Sequence, residues 1–385
     1  MMQTIGQFND SYPPIIDGVA ITVQQYARCL HNKGEKVCVV TPKAPDYIDQ
    51  DPFPVYRYPS VPLIKREPYR LGIPDIDLAF QAKLENIPFS LVHAHCPFTS
   101  GLLALKIARE RKIPFVTSFH SKYKDNFEQS LRSKAIIKLM MMELVYFYNQ
   151  ADEVWIPQEA VEETLREYGY KGKVVVMNNG NDFSTETEPE LLQKIARLKL
   201  HIPEDELVFL YVGQLVWEKN LRFILEGLAQ YNQPFRMYFV GTGYAAEDMK
   251  TLASTLNISN KVFFTGMITD RNVLRDYYAA ADLFLFPSLY DTWALVAREA
   301  AALYTPSLMI RGATAASQIT DNHNGFLVND NPVSLALKLK ELALQPELLR
   351  RTGLQAARTL TKSWEQIAEE VLERYKRLIE KKKKH

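Results

Sequence analysis

The stretch Phe286-Pro-Ser-Leu-Tyr-Asp-Thr-Trp-Ala-Leu-Val-Ala-Arg-Glu-Ala-Ala-Ala302 decides the reading of the fold. An apolar run, Asp282–Phe286, has the length and side chains of a buried strand. Pro-Ser-Leu-Tyr-Asp is then a loop, and an Ala-rich helical pattern begins near Thr292. Strand, short loop and helix form the repeating unit of an α/β protein, and the helix start offers unsatisfied backbone N–H groups to an anion. Asp291 stands at the mouth of this loop. Glu299 lies about two turns down the helix, able to accept hydrogen bonds from hydroxyl groups. Taken alone, such an acid pair reads equally as a helix N-cap and a surface glutamate.

The same alternation extends in both directions. Strand candidates upstream are Lys36–Thr41, Ser90–His93, Pro114–Ser118, Glu153–Ile156 and Lys173–Met177, with helical patterns at Val23–Asn32 and Gly101–Arg111. A second set comprises Leu207–Val212, Arg236–Val240, Lys261–Thr265, Asp282–Phe286, Pro306–Ile310 and Gly325–Val328. Residues 42–75, rich in Pro, Asp and Tyr, read as an irregular excursion. The 385 residues exceed one compact core, so two doubly wound α/β domains are expected. The first is residues 1–182, a polar and acidic linker follows at 183–206, and the second is 207–363. The last segment, 364–385, reads as a periodic helix that packs back toward the first domain and ends in Lys381–Lys384. Ligands of open α/β sheets bind beyond the carboxyl ends of the strands, so the loops that follow strands, and a cleft between the domains, are the expected sites.

Composition narrows the function classes. Lys and Arg total 46 against 45 Asp and Glu, a net charge of +1, which excludes a globally basic nucleic-acid binder. Met1–Asp10 has neither the basic nor the apolar region of a signal peptide, and no run reaches the roughly 18 apolar residues of a membrane span. A cytoplasmic protein is expected. Cys29, Cys38 and Cys96 are widely spaced and odd in number, which suits reduced thiols and not a zinc site. No metal-ligand spacing occurs among the histidines and acids, so no metal is expected.

Five more post-strand loops carry chemistry. In Tyr211–Leu221, Gly213 admits a ligand to the backbone and Lys219 can reach a phosphate as a point charge. Gly241 and Gly243 form a G-x-G turn that lacks the third glycine of a dinucleotide fingerprint but still admits a phosphate or ribose. The turn-rich loop Asn9–Ala20 contains Gly18, whose backbone N–H can meet a phosphate. His93-Ala-His-Cys-Pro-Phe-Thr-Ser-Gly101 and Thr117-Ser-Phe-His-Ser-Lys-Tyr123 each follow a strand, and their histidines also read as satisfied structural groups.

Val212–Asn220, Phe239–Gly243, Phe264–Ile268, the acid–seven–Glu spacing from Asp291 to Glu299, and Asn324-Gly-Phe-Leu327 occur in this order. In these motifs the chain resembles glycosyltransferase family four. The resemblance covers nearly the whole chain and implies a GT-B fold of two facing Rossmann-like domains, and a retaining transfer from a nucleotide-diphosphate sugar, UDP favoured over GDP. It further implies that Asp291 contacts the sugar hydroxyls and Glu299 the ribose. Lys219 and the backbone of Thr292, Trp293, Ala294 and Leu295 would hold the diphosphate, and Met267 and Ile268 would lie beside the base. Gly18, Gly213, Gln214, Gly241 and Gly243 would line the donor. His120 would face the reacting sugar and phosphate, while Asn9, His95, Phe98, Lys122 and Tyr123 would join it on the acceptor side. His120, Lys219 and Asp291 are thus the implied catalytic residues. The donor is a substrate, no cofactor or metal is implied, and catalysis rests on stabilising phosphate charge and placing a hydroxyl. His-Ala-His-x-Pro-Phe and Phe-His-Ser-Lys-Tyr most resemble the lipid-glucosylating branch, which implies a lipid or glycan acceptor.

Residues 130–148 are apolar, with Arg132, Lys134 and Lys138 at the start. The segment suits an anionic membrane surface, or a buried helix flanking the site. Several positions depart from the family pattern. Gln214 replaces an Arg, Ala294 and Tyr304 replace glycines, Ser317-Gln318 replaces Glu-Gly, Asp17 precedes Gly18 where a glycine is frequent, and Asp291 is the milder exchange of Asp for Glu. Two readings follow: an active transferase with an adjusted donor site, or a GT-B protein that retains the shape and acts as a binding or scaffolding partner.

Overall fold

The computed structural model describes residues 4–63, 68–130, 133–183, 185–203, 206–289, 291 and 294–384, apart from the side chains of 126, 129 and 130. The chain divides into two compact units, residues 1–180 with 364–385, and residues 181–363.

The first unit holds strands β1 (Thr4–Phe8), β2 (Val37–Pro42), β3 (Val55–Tyr58), β4 (Ser60–Pro62), β5 (Arg70–Gly72), β6 (Phe89–Ala94), β7 (Phe115–Ser118), β8 (Glu153–Ile156) and β9 (Val174–Val176). Seven of them form a parallel sheet in the order β3-β2-β1-β6-β7-β8-β9, and β4 and β5 pair as an antiparallel ribbon. Helices α1 (Gly18–Asn32), α2 (Leu78–Glu85), α3 (Thr99–Arg111), α4 (Tyr123–Ser130), α5 (Lys134–Tyr148) and α6 (Ala160–Glu167) connect them. The central strands β1, β2, β6 and β7 are buried along their whole length, which is why they read as unbroken apolar runs.

The excursion at 42–75 is more ordered than its composition suggests. Val55 pairs with Val39, so β3 is the sheet's edge. Pro54 and Pro59 bracket it and read as breakers, yet an edge strand tolerates them because one side of its ladder is unpaired. Helix α1 begins at Gly18 instead of Val23. The Asp17 carboxylate caps it, accepting from the N–H groups of Val19 at 2.9 Å and Ala20 at 2.8 Å.

The second unit contains α7 (Pro189–Lys199), β10 (Leu207–Val212), α8 (Leu221–Ala229), β11 (Phe235–Val240), α9 (Ala246–Thr255), β12 (Val262–Gly266), α10 (Arg271–Ala280), β13 (Leu283–Phe286), α11 (Leu295–Ala302), β14 (Ser307–Ile310), β15 (Phe326–Val328), α12 (Pro332–Ala343) and α13 (Pro346–Leu360). Its six strands are all parallel, in the order β12-β11-β10-β13-β14-β15.

Residues 183–206 are not a linker. Helix α7 buries Leu192 and Ala196 in the core of the second unit, and Arg197 bonds Asp282 at 2.6 Å. Most of the acidic residues that suggested a linker flank this helix in sequence, with Glu190 alone inside it, and the helix reads as part of the domain only through its buried stripe. The final helix, α14 (Trp364–Lys383), belongs to the first unit. Its buried stripe of Trp364, Ile367, Val371 and Tyr375 has helical spacing, and Tyr375 stacks on Trp155 with ring centroids 5.4 Å apart.

Helix α5 is apolar on two sides. Leu144, Phe147 and Tyr148 are buried, while Ile136, Leu139, Met142 and Tyr146 are exposed, beside Lys134 and Lys138. Arg132 lies outside the described residues. Among the described residues no helix is long and apolar enough to cross a membrane.

Candidate active site

In the second unit the strand order reverses beside β10, with β11 on one flank and β13 on the other. A crevice at such a switch point is where doubly wound sheets hold ligands. The loops that follow β10, β11, β12 and β13 all emerge at this carboxyl edge, and they carry Gly213–Lys219, Gly241–Tyr244, Met267–Ile268 and Asp291.

The first two loops pack backbone on backbone. Gly213 donates to Val240 O at 3.0 Å and Leu215 to Thr242 O at 2.9 Å. Gly213 and Gly241 have φ of 151° and 140°. A Cβ on Gly241 would stand 1.9 Å from the Gly213 carbonyl oxygen. Gly241 is therefore demanded by the approach of one loop to the other, and Gly213 by its φ and by the Tyr211 hydroxyl, which a Cβ would meet at 2.9 Å, whatever ligand lies above them. Gln214 is exposed, its carbonyl accepting from the Tyr211 hydroxyl at 3.0 Å.

Lys219 ends a 3-10 turn, Trp217–Lys219, and its Nζ lies 2.7 Å from Asp291 Oδ1 and 2.8 Å from Oδ2. Both side chains remain about a quarter exposed, at 24% and 23%. Helix α11 begins at Leu295, later than the pattern suggests, and Thr292 and Trp293 lie outside the described residues. Ala294, in the N-cap position with φ −84°, carries its methyl without backbone strain and buries it.

Glu299 is buried, and each of its oxygens is engaged. Oε1 accepts from Arg271 Nη2 at 2.8 Å and Oε2 from the Tyr278 hydroxyl at 2.7 Å. Arg271 also pairs with Asp182 at 3.1 Å and lies 4.3 Å over the ring of Phe183. Burial opposes the charge on Arg271, but Glu299 and Asp182 outweigh it and raise its pKa above the ordinary value. Burial and the Glu299 charge push the Tyr278 hydroxyl well up, so it stays a proton donor. Met267 is exposed, and Ile268 packs on the core.

In the first unit the order reverses beside β1, which lies between β2 and β6. Asn9 follows β1, and its side chain donates to the Ser11 carbonyl and hydroxyl. His95 follows β6 and His120 follows β7. Their rings stack with centroids 5.3 Å apart, and His95 Nδ1 lies 3.1 Å from His120 Nε2. Behind them His95 Nε2 meets Gln7 Oε1 at 2.8 Å, and the His93 ring stacks on His95 with centroids 4.0 Å apart. Burial holds His120 down at about 4, and burial with the neighbouring imidazoles holds His93 and His95 well below the usual histidine value. Phe98 is exposed and meets the buried Tyr123 edge-on at 5.6 Å, and Lys122 is half-buried. Asp10 fixes this turn, accepting from Ser100 N at 2.9 Å and the Tyr58 hydroxyl at 3.0 Å.

Two family models match the chain in succession. The first, Glycosyltransferase Family 4, covers residues 16–185, and the second, Glycosyl transferases group 1, covers residues 193–359. The chain belongs to the family-four, GT-B glycosyltransferases. It is 29% identical to the alpha-monoglucosyldiacylglycerol synthase of Streptococcus pneumoniae, over 90% of this chain and 80% of that one. It is 25% identical to the enzyme of the same name from Acholeplasma laidlawii, over 90% and 89%. The fold matches sucrose-phosphate synthase of Thermosynechococcus elongatus with a TM-score of 0.80 at 23% identity, covering 98% and 99% of the two chains. Its activity is glycosyl transfer from a nucleotide-sugar donor.

Against this glycosyltransferase frame the departures separate by place. Tyr304 lies just past the C-terminal end of α11, away from the Asp291 loop, and takes φ 66° in the turn that ends the helix. Its frequent glycine serves that turn and not the ligand. Gln318 accepts from the buried Arg298 of α11 at 3.0 Å. Gln214 and Ala294 remain at the carboxyl edge of the second sheet. Sequence reasoning missed Arg271 and Tyr278 beside Glu299, and Gln7 and Tyr375 beside the histidines. The only signals were a glutamine inside an otherwise apolar strand and a tyrosine on the apolar stripe of a helix.

Proposed function

We propose that this glycosyltransferase moves a sugar, glucose foremost, from UDP to a hydroxyl of a diacylglycerol-type lipid at an anionic membrane surface, retaining the anomeric configuration and using no metal. The observation that carries the lipid side is α5, where Ile136, Leu139, Met142 and Tyr146 stand exposed in a helically spaced stripe flanked by Lys134 and Lys138. A cavity of about 810 Å³ beside it has apolar walls that include Ile137 and Met141, under a mixed rim of Lys124, Lys134 and Lys138 with Glu128 and Glu167. Similarity over nine-tenths of the chain to two alpha-monoglucosyldiacylglycerol synthases supports the same acceptor.

In this reading the bond from the anomeric carbon to the diphosphate oxygen breaks, one to the acceptor oxygen forms, and the proton of that hydroxyl passes to the departing diphosphate. Lys219 and the backbone N–H groups at the start of α11 take the charge that develops on the diphosphate. Asp291 accepts from sugar hydroxyls, and Glu299, already oriented by Arg271 and Tyr278, accepts from the ribose. His120 meets a substrate hydroxyl. The test is transfer of labelled glucose from UDP-glucose into vesicles of diacylglycerol with anionic phospholipid, with the anomeric configuration read by NMR. A labelled α-glucolipid, lost with Leu139→Ser and Met142→Ser on sedimented vesicles, is expected. Transfer only to a water-soluble hydroxyl, unaffected by these changes, would exclude the lipid acceptor.

A further inference from the structure

The geometry points to Gln7 and Tyr375 as positioning residues that fix, through His95, which nitrogen of His120 carries the proton. The inference deepens the reading in which His120 meets a substrate hydroxyl, and rests on it for its functional consequence.

The proton inventory follows from the bonds. A carbonyl oxygen has no proton to give, so the hydrogen in the 2.8 Å bond between Gln7 Oε1 and His95 Nε2 belongs to His95. His95 is fully buried and neutral, so its Nδ1 is an acceptor. The hydrogen in the 3.1 Å bond to His120 Nε2 therefore belongs to His120. Neutral His120 then carries a lone pair on Nδ1. The consequence is chemical: through Nδ1, His120 accepts a hydrogen bond from a hydroxyl and cannot donate one to a phosphate oxygen.

Tyr375 holds the other end of this chain of bonds. Gln7 Nε2 donates to the Tyr375 oxygen at 3.2 Å, and the tyrosine's own proton then goes to its other bonded partner, His93 Nδ1. Neutral His93 then donates from Nε2 to Ser118 Oγ at 2.8 Å. Every proton runs in one direction because the Gln7 amide presents its oxygen to His95 and its nitrogen to Tyr375. Without the Tyr375 oxygen, the amide loses the partner on its nitrogen side and is freer to turn over. Turning it over would reverse each bond as far as His120 and place a hydrogen on Nδ1. Tyr375 is held for this task by the stack on Trp155 and by the buried stripe of α14, so the C-terminal helix acts on His120 from 368 residues beyond Gln7.

The experiment is long-range ¹⁵N–¹H correlation NMR of the full chain labelled with ¹⁵N-histidine, with His120 assigned from the His120→Gln spectrum. The expected spectrum at neutral pH has the proton of His120 on Nε2 and a bare Nδ1. A proton on Nδ1 would overturn the proposal. Tyr375→Phe keeps the ring stack and removes the oxygen. It is expected to mix the two His120 tautomers and lower kcat at least about tenfold with donor KM little changed, since a wrongly protonated acid–base group forfeits much of its contribution. An unchanged tautomer in Tyr375→Phe would remove Tyr375 from the account. A mixed tautomer with unchanged kcat would uphold the positioning role and overturn instead the reading in which His120 meets substrate.

Discussion

Lys219 Nζ sits within 2.8 Å of both carboxylate oxygens of Asp291, so the cation proposed for the diphosphate and the acid proposed for the sugar are already paired with each other. A donor that takes Lys219 must draw it from Asp291. An ion pair this exposed contributes about 0–1 kcal/mol, little enough for a ligand to open. In Asp291→Asn the ammonium is released, and UDP is expected to bind up to about fivefold tighter while transfer falls by roughly 100-fold for want of the carboxylate. Titration calorimetry with UDP and kcat for UDP-glucose check the two halves, and weaker UDP binding would refute the pairing argument.

Gln214 presents no charge at the same edge. Gln214→Arg adds a guanidinium able to bond phosphate bidentately, and UDP affinity is expected to rise about tenfold, with a steeper dependence on salt. Affinity measured at low and high ionic strength checks it. No gain at either would place position 214 away from the diphosphate.

Arg271 holds Glu299 from a different helix. Arg271→Met leaves a buried carboxylate with Tyr278 as its remaining partner among those described, and unfolding free energy is expected to fall by about 1–3 kcal/mol with donor KM raised. Denaturant unfolding and initial-rate kinetics check this. A lowered stability with unchanged KM would make Arg271 a purely structural residue.

How much of this was legible beforehand depended on sequence distance. Leu207–Val212 is a continuous apolar run, Glu153–Ile156 is one after its first residue, and both appear as strands with those limits. β3 was hidden by its flanking prolines, and α1's first turn by its glycine and by a cap that only Asp17 supplies. Asp291 and Glu299 declared themselves because they lie on one strand–loop–helix unit. Arg271 and Tyr375 could not, because each looks locally like an ordinary charged or core residue and gains its role from a partner on a remote element.

The histidine cluster sets an acid limit. His93, His95 and His120 are depressed in the folded protein, His120 to about 4, while an unfolded histidine takes its proton near 6.5. Below about pH 6.5 the unfolded chain binds more protons than the folded one, so stability is full above that pH and is lost as pH falls toward 4. Melting temperature across this range is expected to decline, and less steeply in His93→Asn. A flat profile would contradict a neutral buried cluster.

The most direct test of the donor site is calorimetric titration of the intact protein with UDP and then GDP, repeated on Glu299→Ala. The account predicts saturable UDP binding, weaker GDP binding, and at least a tenfold loss of UDP affinity in Glu299→Ala. Absence of nucleotide binding, or UDP binding indifferent to Glu299, would contradict a donor held at the carboxyl edge of the second sheet.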